Sequence, residues 1–513
     1  MLKLKVDFCN LNDVPSKEVC PVTQQEYLKL IDDVISKGKY KDNWESLSGH
    51  KTPAWYYRDK LGIFIHWGIY SVPGYGNEWY SRGMYDINHR EFGYHVTHYG
   101  NQKDFGYKDF IPMFKGENFS AEKWVSLFKE AGAKFVMPVC EHHDGFAMYK
   151  TEFNRWNAAE MGPCRDVAGE IKAECEKQGL TFCASTHRAE HYFFMNPGRS
   201  FDSDVNDDRY SDFYGPAVLC PEFESDAIHK TTADTFATGA SKEWLEDWLV
   251  RTCELIDSYQ PSILYFDWWI HNHSFKPYLK KLCAYYYNRA EEWGKEVTIN
   301  YKHEAFPPTV ATFDVERGAL TDISPVSWQT DTAIGKESWG YRKDNHYKSA
   351  RQIITDLIDI VSKNGMLLLN IGPKADGTIT DEETAVLREL GKWMSLNGDG
   401  IYGTTFWKKF GEGEVNSEAG FFKDGDEKQY TAKDFRFTYK KGCIYAFQMR
   451  PDGNDAVIKS LRQHESHNFI VNNVTLLSSG EKLEFDRTQD GLIIRTNSNF
   501  SSDLPLCFKV EID

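Results

Sequence analysis

The stretch Ser262-Ile263-Leu264-Tyr265-Phe266-Asp267 determines the fold prediction for this chain. Four consecutive apolar or aromatic residues, Ile263 to Phe266, follow shortly after Pro261 and end at a carboxylate. A short apolar run of this kind predicts a strand that is buried on both faces, as in a parallel sheet. An acidic residue at the end of such a strand lies where α/β barrels keep their chemistry. Taken alone, Asp267 is better explained as a cap of the strand end or of the next helix. The residues at the other strand ends therefore decide whether it has a catalytic role.

Five further apolar runs predict strands, and most of them follow an amphipathic helical segment. The predicted strands are 61–65, 134–139, 180–184, 296–299 and 366–371, and the predicted helices are 121–131, 165–178, 242–258, 277–293 and 345–362. Alternation of strands and helices over such a length is typical of an α/β fold. Because no glycine-rich phosphate loop follows the first strand, the pattern favours a closed (β/α)₈ barrel over an open dinucleotide-binding sheet.

The predicted domain boundaries follow from changes in the hydrophobic pattern along the chain. Residues 1–50 form an N-terminal extension with one predicted helix near 23–36, and residues 51–405 form the barrel. Beyond residue 406, short alternating runs separated by Gly, Asp, Asn and Ser predict an antiparallel β-sandwich over 406–513. The segment 188–240 is long for a loop of a barrel, and its aromatic content predicts an ordered wall of the site.

Composition excludes several classes of partner. The chain has 513 residues and a formal charge of −16, which argues against nucleic acid and anionic membranes as partners. No segment approaches the roughly 18 apolar residues of a membrane span. The 11 cysteines lack CxxC pairs, and no signal peptide is evident, so we expect a cytoplasmic protein.

Polar side chains recur at the predicted strand ends and in the loops that follow them. They include His66, Glu78, Trp79, His142, His143, Thr186, His187, Asp267 and Lys302. Any one of these residues is better explained by a structural role. Because the carboxyl ends of barrel strands meet at one edge, the set as a whole predicts a pocket.

Two chemistries can use such a set. A metal-dependent hydrolase would need His and carboxylate ligands from several strand ends. The adjacent pair His142-His143 is a poor start, because neighbouring residues in an extended chain point apart. His271 and His273 offer the only HxH pattern near a predicted strand end. We therefore predict no metal and no other cofactor.

Glycoside hydrolysis needs two carboxylates that flank the anomeric carbon, with polar groups and an aromatic face to hold the sugar. Asp267 would act as the nucleophile, and a carboxylate on a later loop would protonate the leaving oxygen. Spacing alone leaves that donor open among Glu304, Asp314, Glu316 and Asp331.

The sequence resembles the α-L-fucosidases of glycoside hydrolase family 29 from about Trp55 to Gly403. The resemblance rests on three blocks in order: Gly62-Ile63-Phe64-Ile65-His66-Trp67-Gly68 with Asn77-Glu78-Trp79-Tyr80, then Glu141-His142-His143-Asp144-Gly145-Phe146, then Asn364-Gly365-Met366-Leu367-Leu368-Leu369-Asn370-Ile371-Gly372-Pro373. It implies a retaining, metal-free exo-α-L-fucosidase with a barrel, a β-sandwich and α-L-fucosides as substrates.

The resemblance also implies roles for individual residues. Asp267 stands at the nucleophile position, and Asp314-Val315-Glu316 aligns with the acid/base segment, so Glu316 is the first choice and Glu304 the second. The implied substrate-binding residues are Phe64, His66, Glu78, Trp79, His142, His143, Tyr265, Lys302 and Trp339, with Thr186 and His187 in a wall that departs from the common pattern. Lys302 stands where the family often has arginine, which would replace a bidentate contact by a point charge.

Two rival functions stay open alongside the fucosidase prediction. One is the metal-dependent barrel hydrolase. The other is a non-catalytic fucose-binding protein on the same scaffold, since an altered loop can leave a pocket that binds sugar without hydrolysing it. Linkage preference and oligomeric state do not follow from these residues.

Overall fold

The computed structural model describes residues 22–224, 238–464, 469–496 and 500–513. Its largest sheet is parallel and closed, because its first strand pairs with both the second and the last. The strands are β1 (Leu61–Ile65), β2 (Phe135–Glu141), β3 (Thr181–Phe182), β4 (Ala184–Thr186), β5 (Ile263–Phe266), β6 (Thr298–Tyr301), β7 (Thr312–Asp314), β8 (Trp328–Ala333) and β9 (Gly365–Ile371). Since β3 and β4 are two parts of one strand position, the sheet is an eight-membered barrel, which confirms the predicted fold class.

The opening stretch forms the strand that its composition predicts. All four residues of β5 are buried, and β5 lies between β4 and β6 in parallel register, with Leu264 paired to Ala184 and Ile299. Strands β2 and β9 are likewise buried along their whole length. Continuous apolar strands are expected where both faces of a parallel sheet are covered.

Two barrel strands, β7 and β8, did not emerge from the sequence. Their residues are largely polar, yet Thr312, Asp314 and the run Gln329 to Thr332 are all buried. Their polar groups pair inside the barrel: Gln329 Nε2 donates to Asp314 Oδ2 at 2.5 Å, and Thr330 Oγ1 donates to the carbonyl of Val315 at 2.6 Å. Strands whose buried side chains are polar and form hydrogen bonds inside the barrel carry no apolar periodicity, so these strands were missed.

Each predicted helix is present, with its ends displaced by at most five residues, whereas several other helices, most of them short, were not predicted. They are α1 (Gln24–Lys37), α2 (Trp44–Leu47), α3 (Ala54–Asp59), α4 (Tyr80–Gly83), α5 (Arg90–Tyr99), α6 (Ala121–Glu130), α7 (Val167–Gln178), α8 (His191–Phe194), α9 (Ser211–Tyr214), α10 (Pro221–Glu224), α11 (Lys242–Tyr259), α12 (Lys276–Trp293), α13 (Ala350–Ser362) and α14 (Asp381–Asn397). The fully described segments 302–311 and 315–327 contain no helix, so the alternation lapses between β6 and β8. In the described residues, no helix is long and apolar enough to cross a membrane.

The region after the barrel is all antiparallel β-structure. Its strands are β10 (Thr405–Glu412), β11 (Phe435–Lys440), β12 (Cys443–Gln448), β13 (Ala456–Ile458), β14 (Val471–Leu476), β15 (Glu481–Lys482), β16 (Phe485–Arg487), β17 (Leu492–Ile494) and β18 (Leu506–Ile512). They form one sheet in the order β10-β11-β12-β18-β14-β15 and a second in the order β13-β17-β16, around a core of their own. One of the short alternating runs in the predicted β-sandwich, residues 468–471, begins at a residue outside the described part of the chain.

Residues 22–50 pack on the outside of the barrel. Helix α1 lies against α11 and α12, and the hydroxyl groups of Tyr27 and Tyr285 both donate to Asp257 Oδ2, at 2.9 and 2.6 Å. Arg289 Nε lies 2.8 Å from the other oxygen of the same carboxylate. One partly buried aspartate side chain thus connects the N-terminal helix to two barrel helices.

A buried ion cluster joins the barrel to the C-terminal sheets. Asp359 on α13 accepts from Arg436 of β11 at 2.5 Å, from Lys363 at 2.8 Å and from Ser417 at 2.7 Å. Burial by itself would raise the pKa of Asp359, but Arg436 and Lys363 outweigh burial and hold the pKa well below its usual range. The cluster therefore stays charged at neutral pH.

Replacing Asp359 by Ala is expected to destabilise the protein by about 3–5 kcal/mol, because it leaves two cations buried without their carboxylate. The midpoint of urea unfolding, followed by tryptophan fluorescence, measures this effect. Because the folded-state pKa is depressed, the contribution of Asp359 is present above a pH of about 4 and is lost as the pH falls further. The exposed Asp426→Ala variant is the control, and an equal shift in both variants would contradict the prediction.

Candidate active site

The carboxyl ends of the barrel strands surround a cavity of about 580 Å³. Nearly every strand position contributes a side chain to its wall, as expected for chemistry at this face of a barrel. The lining residues are His66, Asn77, Glu78, Trp79, Arg82, Gly83, Asp86, Asn88, His89, Glu91, His142, His143, His187, Glu190, Phe223, Asp267, Trp268, Lys302, Glu316, Asp331, Trp339 and Phe422. The cavity exceeds the volume of a monosaccharide, which leaves room for a second group.

Asp267 follows β5 directly and lies among cationic and imidazole groups. Its Oδ1 lies 3.0 Å from Lys302 Nζ, and its Oδ2 lies 3.4 Å from His143 Nε2 and 3.3 Å from His187 Nδ1. Burial by itself would raise the pKa of Asp267, but Lys302, His187 and His143 outweigh burial and hold the pKa well below its usual range. Asp267 is therefore an ionised carboxylate at neutral pH, as a nucleophile has to be.

Glu316 lies on the loop after β7 and is buried. Its Oε2 is 2.5 Å from Lys302 Nζ and also accepts a hydrogen bond from the indole Nε1 of Trp268. Burial raises the pKa of Glu316 to about 7, against the opposing effect of Lys302. A carboxyl group with such a pKa is about half protonated at pH 7 and can both donate and accept a proton there, as an acid/base catalyst requires.

The distance between the two carboxyl groups is limited by the lysine between them. Lys302 Nζ lies 3.0 Å from Asp267 Oδ1 and 2.5 Å from Glu316 Oε2, so these oxygens are at most 5.5 Å apart. The same ammonium group lies 3.5 Å from Asp331 Oδ2, which also accepts from the Tyr265 hydroxyl at 2.8 Å. The Lys302 ammonium group thus contacts three carboxyl groups from different directions. A compact ammonium group suits this arrangement better than a planar guanidinium, whose donors lie in one plane.

Three histidines around the cavity differ in charge. His66 Nδ1 lies 2.7 Å from the side-chain oxygen of Asn370, which directs Nε2 away from that contact. Burial lowers the pKa of both His66 and His142 well below the usual range, so both rings are neutral. Burial would also lower the pKa of His143, but Glu190 and Asp267 outweigh burial and raise it to about 9. His143 is therefore a buried imidazolium beside Asp267.

Glu78 connects two loops that are distant in sequence. Its Oε2 accepts from Ser338 Oγ at 3.0 Å and from the backbone N–H of Trp339 at 2.9 Å. The Trp339 ring lies 5.3 Å from the His66 ring, at an angle of 32°. Glu78 thereby fixes the aromatic loop after β8 over the strand end that carries His66.

Left-handed backbone follows each of the three charged positions. His303 after Lys302 has φ 54°, Arg317 after Glu316 has φ 44°, and Trp269, two residues after Asp267, has φ 80°. Such conformations cost about 1–3 kcal/mol in non-glycine residues and concentrate at functional sites, where the surrounding structure maintains them.

Most of the residues predicted to bind substrate line the cavity, but three do not. Phe64, Thr186 and Tyr265 are buried and absent from the cavity wall. The Phe64 ring contacts Tyr265 at 5.1 Å and His66 at 4.7 Å between ring centroids, so both aromatic residues support the floor from below. Of the other donor candidates, Glu304 is exposed and Asp314 is buried beneath the cavity, outside its wall.

The side chains of His142 and His143 do not point apart, contrary to the expectation for an extended chain, although, among the residues that the structure describes, no single group of potential metal ligands contains both. The two ring centroids are 4.3 Å apart, and both side chains line the cavity, because the chain turns after β2 instead of continuing extended. In the described residues, the ligand atoms of His66, His142 and His187 lie within 4.8 Å of one another, as do those of His143, His187 and Asp267. Either group could hold a metal ion. The HxH residues His271 and His273 do not line the cavity.

Several lining residues escaped the sequence interpretation. Arg82, Asp86 and Glu91 lie on and around the short helices after β1, where their spacing resembles that of an ordinary charged surface. Phe422 comes from the segment between β10 and β11, beyond the barrel. No local pattern distinguishes it from a core aromatic residue, so only the folded chain reveals its place.

The known proteins that this chain resembles in sequence are described as alpha-L-fucosidases. A family model described as Alpha-L-fucosidase matches residues 29–399. Human plasma alpha-L-fucosidase is 29% identical over 394 residues, which cover 73% of this chain and 74% of that protein. The alpha-L-fucosidase of Dictyostelium discoideum is 28% identical over 394 residues, which cover 74% and 78% of the respective chains.

Solved structures that resemble this chain are also alpha-L-fucosidases. The Thermotoga maritima alpha-fucosidase in complex with fucose superposes with a TM-score of 0.71 at 29% identity, covering 92% of this chain and 100% of that one. An alpha-L-fucosidase from Bacteroides thetaiotaomicron, at 21% identity and a TM-score of 0.63, shares the fold. Because the family model spans most of the sequence, the chain belongs to the alpha-L-fucosidase family.

Proposed function

We propose that this α-L-fucosidase removes terminal α-L-fucose from fucosylated oligosaccharides by a retaining double displacement. The observation that supports retention is the separation of at most 5.5 Å between Oδ1 of Asp267 and Oε2 of Glu316. Retaining glycosidases hold their two carboxyl groups about 5–5.5 Å apart, whereas inverting enzymes need about 6.5–9.5 Å to admit a water molecule.

Two chemical steps follow from the proposed roles. Asp267 attacks the anomeric carbon, the bond from that carbon to the leaving oxygen breaks, and Glu316 transfers its proton to the leaving oxygen. Glu316, now a carboxylate, then takes a proton from water as the water oxygen attacks the anomeric carbon. The bond to Asp267 breaks, fucose departs with its α configuration, and both carboxyl groups return to their initial states.

Lys302 supports this cycle electrostatically. Its ammonium contacts both carboxyl groups, so it stabilises Asp267 as an anion before attack and Glu316 as an anion after proton transfer. The polar wall of His66, His142, His143 and Glu78 supplies donors and acceptors for hydroxyl groups. The aromatic rings of Trp79 and Trp339 supply apolar surface for the sugar face. The fucose complex of the Thermotoga maritima relative supports fucose as the ligand.

The direct test is the stereochemistry of the product. Proton NMR during hydrolysis of an aryl α-L-fucoside is expected to show α-fucose first, with the β anomer appearing only by mutarotation. First appearance of β-fucose would overturn the retaining mechanism. Binding of fucose by calorimetry without turnover of any fucoside would instead favour a non-catalytic sugar-binding protein.

One observation supports a second candidate, a metal-dependent hydrolase: the histidine group His66, His142 and His187 has the geometry of a metal site. Dialysis against a chelator distinguishes the two. The fucosidase mechanism above predicts unchanged kcat/KM after dialysis. Loss of activity that added zinc restores would support the metal-dependent alternative.

The pH dependence of kcat/KM is expected to show a basic limb near pH 7. Glu316 has to be protonated to donate, and its pKa is about 7, so activity falls about tenfold per pH unit above that value. Asp267, with a depressed pKa, stays ionised throughout this range. The measurement is kcat/KM for an aryl fucoside between about pH 4 and pH 9.

Glu190 also lies in the cavity, and burial raises its pKa to about 7. The basic limb of the pH profile could therefore arise from Glu190 or from Glu316. In the Glu190→Gln variant the limb should persist, whatever happens to the rate. Disappearance of the limb in that variant would assign it to Glu190 and contradict the role of Glu316.

We further propose that the enzyme works in a reducing, cytoplasmic environment. Among the described residues, nine cysteines are free thiols, and most of them are buried. Fractionation of the native host, with detection of the chain by antibody, tests this proposal.

A further inference from the structure

A segment of the C-terminal region is bound to the loop that carries Glu316. The backbone N–H of Phe422 donates to the Glu316 carbonyl at 2.9 Å, and that of Lys423 donates to the Arg317 carbonyl at 2.7 Å. Gly420 and Ala319 exchange backbone hydrogen bonds at 3.1 and 3.4 Å. The segment 420–424 thus runs beside the residue that we assign as the acid/base.

Asp424 anchors the other end of this segment to the barrel. Its Oδ2 lies 3.2 Å from Arg317 Nε and forms a close ion pair with the buried Lys348, and it also accepts from the Thr332 hydroxyl. These contacts reach the loop after β7, the strand β8 and the residues before α13. The position of the segment over the cavity is therefore fixed by both its backbone and its side chains.

Phe422 projects into the cavity from this anchored segment. Its side chain lines the same cavity as Asp267 and Glu316, yet the residue is 49% exposed and has φ 55°, a conformation that phenylalanine rarely adopts. Strained backbone of this kind concentrates at functional sites, where the surrounding structure maintains it.

The Phe422 ring is aligned with Trp268. Their planes differ by 10°, with centroids 6.4 Å apart, and Phe421 packs against Trp268 at 5.2 Å. Trp268 in turn donates its indole N–H to Glu316. The two aligned rings therefore lie on the Glu316 side of the cavity, where the leaving oxygen has to be protonated.

From this arrangement, and resting on the fucosidase mechanism proposed above, we infer that Trp268 and Phe422 form the binding site for the leaving-group sugar. Aromatic rings provide flat apolar surface that suits the C–H-rich face of a pyranose. A sugar bonded to fucose through the oxygen that Glu316 protonates would occupy this side of the cavity. The enzyme would thus select oligosaccharides through a residue of its C-terminal region, outside the barrel.

The test compares two substrates in the Phe422→Ala variant. One is a fucosylated trisaccharide, which fills the proposed site, and the other is α-L-fucosyl fluoride, whose leaving group has no sugar. We expect the ratio of kcat/KM for the trisaccharide to kcat/KM for the fluoride to fall about tenfold. Alanine shares phenylalanine's intolerance of positive φ, so the substitution removes the ring without relieving the backbone.

Two controls make the outcome specific. Phe422→Tyr retains an aromatic ring and should retain the ratio, and Ile470→Ala, which removes an exposed side chain of the C-terminal region, should leave it unchanged. An equal loss on both substrates in Phe422→Ala would indicate a structural role and overturn the inference, as would an unchanged ratio. If the wild-type enzyme failed to turn over the fluoride, the proposed function itself would be wrong, which is a distinguishable result.

Discussion

Replacing Asp267 by Gly is expected to lower kcat for an aryl α-L-fucoside by about 10³- to 10⁵-fold, because the covalent intermediate can no longer form. Added azide should restore part of the turnover by attacking the anomeric carbon from the vacated side. The product would then be β-L-fucosyl azide, with inverted configuration. Mass spectrometry and proton NMR identify it.

The nearly isosteric Asp267→Asn variant controls for the fold. Removing the carboxylate leaves Lys302 and the His143 imidazolium without one of their anionic partners, so Gly and Asn variants both need circular dichroism and unfolding curves. Folded variants with substantial residual activity on the aryl fucoside would contradict the nucleophile assignment. An azide product with retained configuration would contradict it as well.

Replacing Glu316 by Ala is expected to lower kcat/KM by about 10²- to 10⁴-fold for fucosides with poor leaving groups. The loss should be much smaller for α-L-fucosyl fluoride, because fluoride departs without a proton from a carboxylic acid. Azide should rescue the second step and give α-L-fucosyl azide, since Asp267 still forms the intermediate. The basic limb of the pH profile should disappear with the carboxyl group.

Glu304→Ala is the matched control for that variant. Glu304 was the second choice from the sequence, yet the structure places it on the surface, away from the cavity wall. It should therefore retain wild-type kinetics on both substrates. Loss of activity in Glu304→Ala, combined with failure of azide rescue in Glu316→Ala, would reassign the acid/base.

The opposite charge states proposed for Asp267 and Glu316 arise from their surroundings. Glu316 is buried and Asp267 is largely buried, and both carboxyl groups contact Lys302. Asp267 additionally faces His143 and His187, whereas Glu316 has Trp268 as its further hydrogen-bond donor. Two acids with different environments acquire different pKa values, which is how a glycosidase assigns one as nucleophile and the other as proton donor.

The strands that were predicted share one property. The apolar runs at β1, β2, β5 and β9 are buried on both faces, so their residue types alone show their surroundings. Because the carboxyl ends of parallel strands meet at one edge, placing those strands also placed His66, His142 and Asp267 near one another. Most of the barrel and much of its site could be predicted from the sequence in this way.

The remaining features depend on contacts between distant segments. Strands β7 and β8 carry buried polar groups that form hydrogen bonds inside the barrel, so no hydrophobic period marks them. The contact of Lys302 with three carboxylates depends on the loops after β6 and β7, whose conformations are not encoded by local composition.

The chain by itself determined the barrel, the carboxylate at the end of the Ser262–Asp267 stretch and the family to which they point. Only the tertiary structure decided that Asp267, Glu316 and Asp331 surround Lys302, and that Phe422 of the C-terminal region reaches the cavity. The physical reason is that burial and charge pairing are properties of assembled neighbours. Apolar periodicity, in contrast, can be read along a single strand.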